Sequence, residues 1–304
     1  MNKDDNAPFV SCIITTHNRS KLLQRAIDSV LKQEYTNIEL IIVDDNSSDD
    51  TADVVAQFKD DRITYLRNKE NLGLSAARNI GVKSSSGKFI AFLDDDDEWY
   101  PHKTSKQMEA FRNTKFKNTG LVYTWMQFKT GTELLHELSP VASGPLFKYA
   151  IDDQPISAGS TWMIAKKVFE GEVAFDEEIP RGVDGDFVRQ VSLKFDIDFV
   201  PEVLVNYYVE HQHSRMTNNS NDGVKKAILG QEITLRKFEK EISQFPRQES
   251  SLLAITAYDY AKIGNHKKAV SYFSKAIRTS VFSLNIYKNL VKMVMLIIGL
   301  KNES

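Results

Sequence analysis

Four consecutive carboxylates, Asp94-Asp95-Asp96-Asp97, followed at once by Glu98 and Trp99, are the densest chemical feature of the chain. Adjacent carboxylates repel one another. A divalent cation held by oxygen ligands removes that repulsion, and Mg2+ or Mn2+ bound this way commonly also bridges substrate phosphates. The competing reading is a solvated acidic turn that favours the N-terminus of the helix expected after Pro101. A calcium EF-hand loop is excluded: counted from Asp94, position 6 is Trp99 rather than Gly and position 12 is Ser105 rather than Glu. Two other polar clusters stand upstream, Thr15-Thr16-His17-Asn18-Arg19 and Asp44-Asp45-Asn46-Ser47-Ser48-Asp49. Asp44 and Asp45 can accept hydrogen bonds from a ribose or a base, or close an Asx turn in which Asp49 or Asp50 caps the next helix. Much later comes His211-Gln212-His213, just before Ser214-Arg215. Two neutral imidazoles there could add a metal ligand or, with Arg215, clamp a diphosphate, His213 being the favoured one; an ordinary exposed turn competes with this.

The pattern between these clusters says how they would meet. Phe9–Thr15, Glu39–Val43, Ile63–Leu66 and Lys88–Leu93 are short apolar, β-rich runs. Between them Leu22, Leu23, Ala26, Ile27, Val30 and Leu31 recur at helical spacing, and 50–58 and 75–83 read as further helices. Alternating β and α units imply a mostly parallel sheet flanked by helices, which binds ligands at the carboxyl ends of its strands. Three of the four strands end in a polar cluster, so those clusters should share one edge. The first loop has no glycine, which excludes a GxGxxG dinucleotide turn, and no GxxxxGK[ST] occurs, which excludes a P-loop. A nucleotide would have to be held by side chains and metal.

The ordered blocks Val10-Ser11-Cys12-Ile13-Ile14-Thr15-Thr16-His17-Asn18-Arg19, Glu39 to Ser47, Asn71-Leu72-Gly73-Leu74-Ser75-Ala76-Ala77-Arg78-Asn79-Ile80-Gly81 and Gly87 to Trp99 resemble family 2 glycosyltransferases of the GT-A fold, as found in bacterial surface-polysaccharide synthesis. The resemblance covers roughly residues 8–101. It implies transfer of a sugar from a nucleotide-diphosphate donor, UDP-linked by expectation, with inversion and with Mn2+ or Mg2+. It places Thr15 and His17 at the base and Asp45 at the base or ribose. Arg19, Arg78, Asp94 and Asp95 then join the donor site, with Asp96 as the metal ligand and Asp94 and His213 as further candidates. An aromatic residue is commoner at the position of His17, and a small one at that of Asp95. The general base falls in Val183-Asp184-Gly185-Asp186, where Val183 replaces the usual acidic partner; Asp184 is favoured and Asp186 is the alternative. Competing functions are a non-catalytic sugar-nucleotide-binding or scaffold subunit, and a nucleotidyltransferase.

The rest of the chain is less regular. Gly120–Phe128, Ser160–Ala165 and Val203–Glu210 read as strands, and 184–193 and 224–241 as helices. Trp125 and Trp162 could stack on a sugar but fit strand-core positions better, so they are not assigned. Gly264, Ala269, Phe273 and Ala276 have the offsets of one tetratricopeptide hairpin, too little for a solenoid. The expected division is a catalytic domain over 1–220, with a nucleotide-sugar half over about 8–130 and an acceptor half over about 130–220. A helical C-terminal extension over 221–304 would follow.

Of 304 residues, 39 are Lys or Arg and 41 Asp or Glu, a net charge of −2 that argues against a nucleic-acid partner. From residue 224 onward, however, 14 basic residues face six acidic ones. With Met293–Leu300 apolar but too short to span a bilayer, the terminal helix is expected to lie on an anionic membrane surface or against protein. A lipid-linked saccharide acceptor would suit the first option. No apolar segment precedes Pro8, and the single cysteine, Cys12, excludes a disulfide framework. The expected location is the cytoplasm, with peripheral attachment to the inner membrane face as a second option.

Overall fold

The computed structural model describes residues 8–151, 158–209, 220–281 and 284–297. Its elements run β1 (Val10–Thr16), α1 (Ser20–Leu31), β2 (Ile38–Asp44), α2 (Thr51–Gln57), β3 (Ile63–Arg67), α3 (Leu74–Ser84), β4 (Phe89–Asp94), β5 (Glu98–Trp99), α4 (Lys103–Asn113), β6 (Thr119–Thr130) and β7 (Glu133–Leu138). There follow α5 (Phe147–Ala150), β8 (Met163–Ala165), α6 (Val183–Lys194), β9 (Asp196–Tyr208), α7 (Asn221–Lys237), α8 (Glu239–Ile242), α9 (Pro246–Lys262), α10 (His266–Thr279) and α11 (Leu284–Ile297). Packing divides the chain into two compact units. The first holds the sheet. The second takes α5, residues 178–189 and everything described from 220 onward. The change of pattern near residue 220 therefore does not mark the whole boundary, because two earlier segments leave the sheet and pack with the C-terminal helices.

In the first unit the strands lie in the order β3-β2-β1-β4-β8-β6-β9-β5, with β7 on β6. The β3-β2-β1-β4 part is parallel. The inner strands β1, β2 and β4 read as near-continuous apolar runs because both faces are covered, whereas the edge strand β3 has no fully buried residue. Cys12, Ile14, Leu40, Ile42 and Leu93 pack on Leu23, Ala26, Ile27 and Val30 of α1. On the other face α3 approaches so closely that a Cβ on Gly81 would sit 2.6 Å from Ile13 Cγ2. Cys12 is fully buried on the central strand, and burial pushes its thiol up to about 12. Register puts Thr15 level with Val43 and Asp94, and Thr16 level with Asp44, so the ends of β1, β2 and β4 do reach one edge.

Three departures from the sequence reading have local causes. β9 starts at Asp196 rather than at Val203, because the register against β6 jumps from Val200 to Val203 and lets Pro201 pass without donating to the ladder. Residues 159–161 form a 3-10 turn rather than strand, so β8 is only Met163–Ala165. β7 was not expected, and its side chains are exposed on both faces, which leaves no alternation to read.

Lys103 is fully enclosed, with Nζ donating to Gln107 Oε1 at 2.7 Å and lying 4.0 Å from the Trp99 ring centroid. Burial pulls its amine down from near 10.5 to about 7. Between those values the unfolded chain holds a proton there that the folded chain does not, so this group makes stability rise with pH, by up to about 1.4 kcal/mol per pH unit. Urea unfolding at pH 7 and pH 9 should show wild type gaining on Lys103→Met as pH rises. A difference that does not change with pH would overturn this.

The second unit is helical, with a core of Val224, Ile228, Leu253, Ala257, Tyr260, Ala269, Phe273, Ala276 and Ile286. α9 and α10 form the expected hairpin, turning at Gly264 with φ +75°, while Asn265 caps α10 by accepting from Lys268 N. No helix among the described residues is long and apolar enough to cross a membrane.

Candidate active site

The loop after β1 is tied to the loop after β2. Asn18, at φ +54°, donates its N–H to Ser47 Oγ at 2.9 Å, and its Oδ1 accepts from Ser48 N at 2.7 Å. The exposed His17 donates from Nδ1 to the Asp45 carbonyl at 2.8 Å, which leaves Nε2 to accept from Asn18 Nδ2 at 3.0 Å. Both ring nitrogens of this exposed residue are thus held. Asp49 does more than cap the next helix: it accepts from Thr51 at the start of α2 and from Ser20 N at the start of α1.

Asp45 is buried and works inside the protein. Its Oδ1 accepts from Asn68 Nδ2 at 2.8 Å and Leu72 N at 2.9 Å, and its Oδ2 from Gly73 N at 2.7 Å. Of about four acceptor positions on a carboxylate, three are taken. Asp44 is also committed, to Ser47 N and the Tyr65 hydroxyl.

The acidic turn at the end of β4 is met by guanidinium groups. Arg19 Nη1 lies 3.0 Å from both Asp95 Oδ1 and Asp96 Oδ2, and Thr16 Oγ1 donates to Asp95 Oδ2 at 2.8 Å. Arg78, only 1% exposed, pairs with Asp94 Oδ1 at 2.9 Å while its guanidinium sits 5.1 Å from the Phe175 ring and 5.7 Å from Phe92. Arg25 donates to the Asp96 carbonyl and stacks 3.6 Å from the Tyr208 ring centroid. The repulsion expected among the four aspartates is therefore relieved in part by arginine. It is not relieved fully. Burial, opposed by Arg19 and reinforced by Asp96, pushes Asp95 up to about 7. Burial and the charges of Asp96 and Asp94 drive Asp97 well above the usual range, and donors from Ser160 and the Tyr208 backbone oppose this.

Asp97 shows what the turn lacks. Its Oδ2 accepts from Ser160 Oγ at 2.6 Å, but its buried Oδ1 has no hydrogen-bond partner among the described residues. Asp94, Asp96 and Asp97 can offer three oxygens that all lie within 4.8 Å of one another. An all-oxygen set with one buried orphan atom fits a hard divalent cation. Sequence reasoning passed over Asp97, Thr16, Arg25 and Ser160. Asp97 had a signal as the fourth member of the acidic run, and Thr16 as a member of the polar cluster after the first strand.

The remaining candidates fall elsewhere. Asp184 and Asp186 lie in the first turn of α6 and belong to the second unit. Asp184 is partly exposed, whereas Asp186 is fully buried and pairs with Lys237 Nζ at 2.9 Å. His211 and His213 lie outside the described residues. Trp162 is fully buried, and Trp125 donates to the Pro140 carbonyl at 2.8 Å, so both are core or wall residues.

With three strand ends joined around an acidic turn, comparison with known proteins is decisive. Residues 11–171 match the family model described as glycosyl transferase family 2. The chain belongs to glycosyltransferase family 2. An uncharacterized family relative, the glycosyltransferase RP339 of Rickettsia prowazekii, is 31% identical over 310 residues, which cover 92% of this chain and 92% of that one. The UDP-Glc:alpha-D-GlcNAc-diphosphoundecaprenol beta-1,3-glucosyltransferase WfaP of Escherichia coli is 42% identical over 107 residues, covering 35% of this chain and 43% of WfaP. Among solved structures, the mannosyltransferase PcManGT of Pyrobaculum calidifontis, in complex with GDP-Man and Mn2+, superposes with a TM-score of 0.58 at 16% identity, covering 97% of this chain and 83% of that one. The likeness shows the GT-A fold, and family 2 membership makes the chain a glycosyltransferase.

Proposed function

We propose that this family 2 enzyme is metal-dependent and inverting, and moves a sugar from a UDP-linked donor to a saccharide or lipid-linked saccharide acceptor in surface-polysaccharide synthesis. The observation that carries the reading is the convergence of the β1, β2 and β4 ends on the Asp94, Asp96 and Asp97 oxygens. Asp96, with Asp94 and Asp97, would hold Mn2+ or Mg2+, which supplies charge neutralisation for a diphosphate when bound. Thr15 and the held His17 ring line the base position. Asp45 shapes that position by pinning residues 68–73 and keeps one acceptor position on Oδ2. The activity named for WfaP supports the UDP donor and the lipid-linked acceptor, and the PcManGT complex supports the metal.

Asp184 is assigned as the general base because Asp186 is consumed by its buried pair with Lys237. In this step Asp184 takes the proton of the acceptor hydroxyl as that oxygen bonds to the anomeric carbon. The bond from that carbon to the diphosphate oxygen breaks, and the nucleoside diphosphate leaves with the electron pair. The basic C-terminal stretch, with Val270, Ile277, Tyr287 and Val291 exposed, supports peripheral contact with an anionic membrane.

Calorimetric titration of UDP, GDP and CMP, each with Mn2+ and with EDTA, tests the donor site on wild type and Asp96→Ala. The expected result is Mn2+-dependent UDP binding, weakened at least tenfold by EDTA or by the substitution. Preference for GDP would replace the base assignment, and absence of binding under all conditions would overturn the site. Co-sedimentation with anionic vesicles in the same preparations reads the membrane contact, and full recovery in the supernatant would refute it.

A further inference from the structure

We infer that α7 is the element that positions Asp184, through one stripe of residues spaced two helical turns apart. The inference rests on the reading of Asp184 as the base. Gly223, Gly230 and Lys237 follow one another at intervals of seven and so lie on one face of α7. Each meets the segment that leads into α6 or its first turn, and all of these residues belong to the second unit. The Gly223 carbonyl accepts from Arg181 Nη1 at 2.9 Å. At Gly230 a Cβ would stand 2.3 Å from the Arg181 carbonyl oxygen, so no larger residue fits without moving that backbone. Lys237 Nζ pairs with Asp186 Oδ2 at 2.9 Å, where Asp186 is fully buried.

Between these contacts Gly182 turns at φ +92°, a conformation other residues adopt only with strain, and Asp184 follows two residues later. The direction in which α6 starts is thus set on both sides of Asp184: upstream by close packing on Gly230, downstream by an ion pair. Lys237 and Gly230 are positioning residues and touch no substrate. The C-terminal helices, which the family model does not reach, acquire a role in the reaction through them.

The test uses the full chain. Gly230→Ala and Lys237→Met should each lower kcat by about 10- to 100-fold, the scale expected for a displaced catalytic group. Donor KM and nucleotide affinity should stay within about twofold, and Lys237→Arg should restore most of the rate. Because Lys237→Met strands a buried carboxylate and can fail to fold, the Asp186→Asn/Lys237→Met pair serves as its uncharged counterpart and should show the same kcat loss. Normal kcat in folded Gly230→Ala would overturn the inference, as would parallel loss of kcat and nucleotide binding. Asp184→Asn separates the two ideas. If it is inactive while Gly230→Ala turns over normally, only the positioning role fails. If it turns over normally, the base assignment fails and the positioning role with it.

Discussion

Asp184→Asn is expected to lower kcat by about 10^2- to 10^4-fold, the usual contribution of a positioned general base, while nucleotide binding stays within about twofold. The amide keeps the size and the helix-start position of the carboxylate but cannot accept the hydroxyl proton. Asp184 is partly exposed in the first turn of α6. Steady-state kinetics with saturating donor, beside calorimetric UDP titration, measure both quantities. A loss confined to KM, or turnover within tenfold of wild type, would remove Asp184 from the chemistry.

Arg78→Met should be the most damaging single change to stability at the donor edge, by about 2–4 kcal/mol. Breaking a fully buried ion pair costs about 3–5 kcal/mol, and the lower range applies because the Asp94 side chain keeps 30% exposure. Methionine can fill the space against Phe92 and Phe175 but cannot answer Asp94. The orphaned carboxylate would then repel Asp96 and Asp97, so Mn2+-dependent nucleotide binding should weaken at least tenfold in the fraction that folds. Urea unfolding and the same titration check the two effects separately. Unchanged stability together with unchanged affinity would mean that Arg78 is neither a support nor a donor residue.

The parallel half of the sheet was legible because its signals are local. Apolar runs, helical spacing and polar strand ends each lie within a few residues of chain, and register then brings Thr15 beside Asp94 without further information. What stayed hidden depends on partners distant in sequence. Asp45 reads as a ligand residue, and nothing local shows that Asn68, Leu72 and Gly73 take three of its acceptor positions. The four aspartates read as needing a metal, yet Arg19 and Arg78 carry part of that load from other elements. That Asp186 is paired could not be read from Val183-Asp184-Gly185-Asp186, because its partner is Lys237, 51 positions further along the chain. Pro201 hid the first half of β9 for a simpler reason: a bulge tolerates the proline that a regular ladder would reject.

The one thiol of the chain lies on β1, between β2 and β4, with no exposure to solvent. Alkylating reagents can reach Cys12 only when α1 lifts from the sheet or that strand leaves it, so the native protein is silent to them and modification reports such openings. The molecule therefore carries its own clock for the breathing of the donor edge. The labelling rate with and without nucleotide would show whether occupancy slows that clock, with no foreign probe introduced.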